Sequence, residues 1–146
     1  MKILKRFAPL GFAIALISSP ALAADRAVYF PFTEAVAAAK ASGKIDGTVR
    51  FYLAGKSPQG QILRREVVVN KKTNAFKKND ATACQHVVQS AVIALHKAAK
   101  KAGANAVTNI VSYYKKVEHN DGVNYECHAG GVIAGVALKG DLVKLR

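Results

Sequence analysis

Two cysteines each stand beside a histidine, Cys84 with His86 and Cys127 with His128, and thiolates with imidazoles are the donors of a structural zinc site. The spacing weakens that chemistry. Zinc ligands come from close pairs held on one side of the chain, whereas residues 84 and 86 of a helix point about 200° apart. Residues 127 and 128 of a strand face opposite sides of a sheet. For hydrolysis, His86, His96, His119 and His128 offer bases and Ser42, Ser57, Ser90 and Ser112 offer hydroxyls, yet no nucleophile turn joins them. Ala54-Gly55-Lys56-Ser57 imitates the end of a phosphate-binding loop. Arg50 stands where such a loop needs a glycine, and Pro58 removes an amide where the next helix must begin. Gly130-Gly131-Val132-Ile133-Ala134-Gly135 sits inside an apolar strand pattern instead of between strand and helix, so it is no dinucleotide turn. No catalytic residue and no cofactor is expected.

The elements that must position these residues follow from period and punctuation. Residues 80–102 repeat apolar or small side chains at Cys84, Val87, Val88, Ala91, Leu95, Ala98 and Ala102, the spacing of an amphipathic helix. Asn79 or Asp80 caps its start, Lys97, Lys100 and Lys101 suit the negative end of its dipole, and Gly103 stops it. A shorter helix is expected over 33–42, capped by Thr33 and ended by Gly43. Before it, 24–32 reads as an extended lead-in closed by Pro31. Residues 48–54 and 62–69 read as strands, joined as a hairpin across Gly55 to Gly60. Residues 70–79 read as a basic loop in which Phe76 is a lone exposed aromatic. A third strand is expected over 106–115 and, after Asn120-Asp121-Gly122, one long last strand over 124–138. Its glycines predict a bulge, or a helix packed against bare backbone. The expected architecture is one α+β domain over 24–146: an antiparallel or mixed sheet of about four strands, the long helix across one face and the short helix beside it.

The start of the chain decides the compartment. Lys2, Lys5 and Arg6 precede an apolar run over 7–17, too short for a stable span, and Ala21-Leu22-Ala23 follows Pro20. This predicts a signal peptide over 1–23, cleaved near Ala23-Ala24, with a retained anchor as the rival reading. No cysteine offers a lipid attachment site there. The expected location is the periplasm, or the medium beyond it. In an oxidising compartment the two cysteines, 43 residues apart, default to a Cys84–Cys127 disulfide between the long helix and the last strand. The metal set Cys84, His86, Cys127 and His128 is the competitor. The formal net charge is +13, of which Lys2, Lys5 and Arg6 carry three. Outside the cytoplasm the abundant anions are lipid head groups, lipopolysaccharide phosphates and acidic glycans, so nucleic acid is not the expected partner. Lys71, Lys72, Lys77, Lys78, Lys115 and Lys116 are the candidate anion contacts, chosen for clustering of charge.

Across most of the chain after residue 48, Val49-Arg50-Phe51-Tyr52-Leu53-Ala54-Gly55, Asn70-Lys71-Lys72-Thr73-Asn74, Cys84, Gly103-Ala104-Asn105-Ala106-Val107, Val111-Ser112-Tyr113-Tyr114-Lys115-Lys116 and Glu126-Cys127-His128-Ala129-Gly130 carry a resemblance. The chain resembles a small family of exported proteobacterial proteins of unknown role that bear the label "excinuclease ATPase subunit". That label implies ATP hydrolysis in DNA repair, which the incomplete phosphate loop, the absence of paired CxxC motifs and the export signal oppose. More distantly, the order helix, Gly-Ala-Asn-Ala-Val, strand, turn, cysteine-bearing strand is similar to the α+β domain of the outer-membrane lipoprotein that senses envelope stress in the Rcs phosphorelay. That family is lipid-anchored and richer in cysteine, so the resemblance implies a fold and no sensing role. The expectation is an exported, non-enzymatic binding or envelope-maintenance protein; the alternatives are metal handling through the Cys/His pairs and a small hydrolase.

Overall fold

A computed structural model describes residues 11, 13–15 and 25–146. The expected signal peptide over 1–23 and its expected cleavage point lie almost wholly outside the described residues. The long helix, α2, spans Asp80–Ala102, the range its period predicts. Asn79 supplies the cap, its Oδ1 accepting the Thr82 amide at 2.8 Å, and Gly103 ends the helix in the left-handed conformation with φ 76°. The short helix, α1, spans Phe32–Ala41 and starts one residue before the expected cap, Thr33. Pro31 holds the N-cap position without a side-chain bond, and the Phe32 amide donates instead to the Val123 carbonyl at 2.9 Å. Burial of the Phe32 ring, 2% exposed, sets that start. Among the described residues no helix is long and apolar enough to cross a membrane.

The fold is α+β, and its sheet is mixed, with six strands where about four were expected: β1 (Arg26–Pro31), β2 (Arg50–Leu53), β3 (Gln61–Asn74), β4 (Ala106–Ser112), β5 (Asn124–Ala129) and β6 (Ile133–Lys144). The axis is β6. Along one edge it pairs antiparallel with β3, from Ile133 opposite Asn74 to Lys144 opposite Gln61. Its other edge is divided, β5 taking the start and β4 the end. Outside these, β1 lies antiparallel to β5 and β2 parallel to β4. The core lies between this curled sheet and the two helices, with α2 across β3, β5 and β6.

Each departure from expectation has a local cause. The lead-in becomes β1 because β5 offers it a free edge. The long last strand is two strands, since the chain reverses at Gly130-Gly131 and the Gly130 amide bonds the Ile133 carbonyl at 3.0 Å. The expected hairpin of 48–54 with 62–69 does not form; each segment pairs with a distant strand, and the connection between them packs Gly60 onto Val143. Residues 70–74 continue β3 instead of opening a loop, because an edge strand can pair its amides while turning polar side chains to water.

Two bulges flank β6 at one place. Glu66 on β3 and Asn109 on β4 adopt positive φ, 50° and 52°, and the buried Asp141 carboxylate lies between them. Its Oδ1 accepts the Glu66 amide at 2.9 Å and its Oδ2 accepts the Asn109 side-chain amide at 3.1 Å. Ser57 braces the same bulge, accepting the Asn109 backbone amide at 2.8 Å while donating to the Leu53 carbonyl at 3.1 Å. The expected bulge thus lies on the partners of the glycine-bearing strand. At Gly135 the group pressed against bare backbone is the ring of Tyr114, 3.0 Å from where a Cβ would stand, and neither α-helix.

Cys84 and Cys127 are joined, with Cα atoms 5.9 Å apart. The bridge ties the first turns of α2 to β5, the inner half of the expected last strand, and both residues are fully buried.

Candidate functional site

The lysines gather where β3 ends. Asn74 Oδ1 accepts the Phe76 amide at 2.8 Å, and the Lys78 amide returns to the Ala75 carbonyl at 3.0 Å, a tight turn that buries Ala75 and leaves Phe76 58% exposed. The Ala75 amide donates to the Val132 carbonyl at 2.7 Å, so this turn lies against the β5–β6 turn. There Val132 and Ile133 are 63% and 54% exposed. Phe76, Val132 and Ile133 line an open groove of about 520 Å³ with Lys72, Thr73 and Asn74. Lys71, Lys72, Lys77 and Lys78 are all exposed beside it. The Lys77 ammonium stands 5.4 Å from the centre of the Phe76 ring, a cation–π contact.

Lys115 and Lys116 join this surface through Tyr114. They sit in a single 3-10 turn, Tyr114–Lys116, in left-handed conformations with φ 51° and 62°. The Tyr114 ring and the Lys72 stem both close on Gly135, 3.0 and 3.7 Å from where a Cβ would stand, so the turn packs on β6 with its ring beside the Lys72 stem. A Cβ there would press on the ring, which would have to shift by a few tenths of an ångström. Among the described residues, none of the six lysines pairs with a carboxylate. Lys139 differs: it is held by Glu118 and, at 3.5 Å, by Glu66, and the Glu118 contact raises its pKa above the usual lysine value.

A second cluster occupies the sheet face away from α2. Tyr125, Cys127 and Ala129 of β5 face the core, so alternation turns Glu126 and His128 outward, with Tyr29 of β1 opposite Glu126. Glu126 is shared by three neighbours: His128 Nε2 in direct contact, His119 Nδ1 at 3.7 Å and the Tyr29 hydroxyl donating at 3.4 Å. On its other side His128 Nδ1 lies 3.4 Å from Asp25, which accepts the Tyr114 hydroxyl at 3.2 Å. Tyr114 stacks on His128 with ring centres 3.7 Å apart. Desolvation, then Asp25, raises the Tyr114 pKa; desolvation, then Glu126, raises that of Tyr29, so both stay hydrogen-bond donors. Asp121 is held below the usual carboxylate range by the amides of Asn124 and Val123.

This cluster can share protons, but the serine hydroxyls singled out from sequence are committed elsewhere. Ser42 donates to Ala39, Ser57 to Leu53 and Ser90 to His86, each on a carbonyl, while Ser112 accepts the Glu126 amide. The candidate metal set is not brought together. Its two sulfurs are bonded to each other, His86 is exposed on α2, and His128 lies on the face of β5 opposite Cys127. Among the described residues no group of three His, Cys, Asp or Glu side chains has the geometry to hold a metal. His96 is buried, with Nε2 3.6 Å from Asp46.

Sequence reasoning missed Val132 and Ile133, which read as strand core, and missed Glu126, whose spacing of two from His128 was the available signal. Nothing local marks Tyr29 or Asp25. No protein family, no curated protein and no solved structure matches this chain.

Proposed function

We propose that this is an exported, non-enzymatic binding protein whose lysine surface meets anionic components of the cell envelope. One observation carries the reading: Lys71, Lys72, Lys77 and Lys78 surround the end of β3, the Tyr114 ring of the Lys115-Lys116 turn reaches Gly135 beside the Lys72 stem, and no carboxylate neutralises any of the six among the described residues. Unpaired like charges gathered on one surface repel one another, and an approaching anion relieves that repulsion. The buried disulfide is consistent with an oxidising, extracytoplasmic compartment. It also leaves no thiol to hold a metal.

Retention of the exported protein on lipopolysaccharide or anionic vesicles tests the reading. Conversion of the six lysines to glutamate is expected to abolish it. Arg50, Lys144 and Arg146 line a separate groove and serve as the control, since their conversion to glutamine leaves retention largely intact. Equal retention of the wild-type and six-glutamate proteins contradicts the proposal.

The His119, Glu126 and His128 cluster favours a second reading, a small hydrolase using an imidazole as base. Turnover of an ester or glycoside that is lost in His128→Asn, with folding unchanged, would establish it in place of the first.

A further inference from the structure

We infer that Phe76, Val132 and Ile133, ringed by lysines, form an insertion tip by which the protein docks on the surface of an anionic phospholipid bilayer. The inference rests on the anion-binding reading and narrows its ligand. A soluble polyanion needs charge alone, and binding it would leave the three apolar side chains in water. A bilayer surface takes both chemistries at once. Apolar and aromatic side chains enter the boundary between head groups and acyl chains, while lysine ammoniums remain at the phosphate level above them.

The geometry fits that division. Phe76 and the Val132-Ile133 pair project from two turns tied together by the bond from the Ala75 amide to the Val132 carbonyl, 2.7 Å long. They line one groove, and none belongs to the buried core. The Asn74 side chain holds the backbone amide of Phe76, so the turn that carries the ring needs no backbone ordering at the moment of contact. Lys72 lines the groove itself and Lys77 stands over the Phe76 ring, placing charge within a side chain's length of the apolar tip. A separate charged groove, along Arg50, Lys144 and Arg146, is lined mainly by polar groups, with Tyr52, Pro58 and Leu145 as its apolar side chains.

The chain contains no tryptophan, so Phe76→Trp places a single fluorescent reporter at the tip. Phe76 is exposed, and the substitution removes no core contact. In exported protein with its mature N-terminus established by mass spectrometry, emission is expected to move to shorter wavelength with vesicles containing phosphatidylglycerol. Pure phosphatidylcholine vesicles and heparin are expected to leave it unchanged. Phe76→Ser should weaken binding to the anionic vesicles about tenfold while leaving heparin retention as it was. Lys72→Gln with Lys77→Gln should weaken both, each lysine by about fivefold on the vesicles.

Binding to heparin and vesicles with no emission shift, and with Phe76→Ser equal to wild type, overturns the insertion tip and leaves the anion-binding reading standing. An equal shift with neutral vesicles overturns the role given to the lysines. Binding to neither heparin nor anionic vesicles overturns the anion-binding reading and the tip with it.

Discussion

The Cys84–Cys127 bond joins a helix to a strand across a separation of 43 residues, and its main effect is on the unfolded chain. Closing a loop of that length restricts the unfolded ensemble, so Cys84→Ala with Cys127→Ala is expected to lower stability by about 4 kcal/mol. Urea denaturation of the two proteins measures this; coincident transitions contradict it. Asp46 gives a second residue-scale prediction. The Thr48 hydroxyl and then the Thr48 amide hold its carboxylate, bringing the pKa from 3.8 to about 2. A depressed folded pKa contributes stability above the unfolded value and loses it as pH falls through the folded one. The turn over 46–48 should therefore begin to weaken below the usual carboxylate pKa of 3.8 and lose the contribution completely only once the pH has fallen through about 2. A carboxyl titration by NMR should show Asp46 with a midpoint of about 2, and Thr48→Val should raise it. A midpoint at the ordinary value contradicts this. Single residues were legible in the sequence where type and compartment decide, as at the two cysteines. They were illegible where pairing decides: Tyr29 meets Glu126 only because β1 lies against β5.

At the scale of elements, α2 was read to its ends because Asn79, a continuous apolar period and Gly103 all mark the same helix. The strands were harder, since a strand's partner leaves no local trace. Lys71, Lys72, Thr73 and Asn74 read as loop by composition, yet they pair with β6 as an edge strand. The two segments around Gly55 to Gly60 looked like a hairpin because neighbours in sequence usually pair; β4 and β6 took them instead. Glycine on β6 marks where its partners press closest. A Cβ at Gly140 would stand 2.8 Å from Val107 Cγ1 and 3.2 Å from the Thr108 carbonyl, beside the paired bulges at Glu66 and Asn109. Gly140→Ala is therefore expected to cost about 1–3 kcal/mol through overpacking. The same denaturation experiment reads it, and an unchanged midpoint shows that the sheet yields there without cost.

The whole molecule carries a formal net charge of +13, three charges of it at Lys2, Lys5 and Arg6, and the six clustered lysines give part of that charge an address. The clustering was visible in the sequence as charge. Its meaning was not, because Val132 and Ile133 reach the end of β3 only after the chain reverses at Gly130-Gly131. A polar-looking segment and an apolar-looking one thus combine into one amphipathic surface. Exposed lysines that attract an anionic surface must respond to ionic strength, since the screening length falls from about 10 Å at 0.1 M salt to about 3 Å at 1 M. Binding of the protein to vesicles containing phosphatidylglycerol, followed across salt concentration, reads this directly. Affinity is predicted to fall at least about tenfold between 0.05 M and 0.5 M salt, and the six-glutamate variant is predicted to show no binding anywhere in that range. Affinity that holds constant across that range, or a variant that binds as the wild type does, contradicts an anion-binding role for the lysine surface.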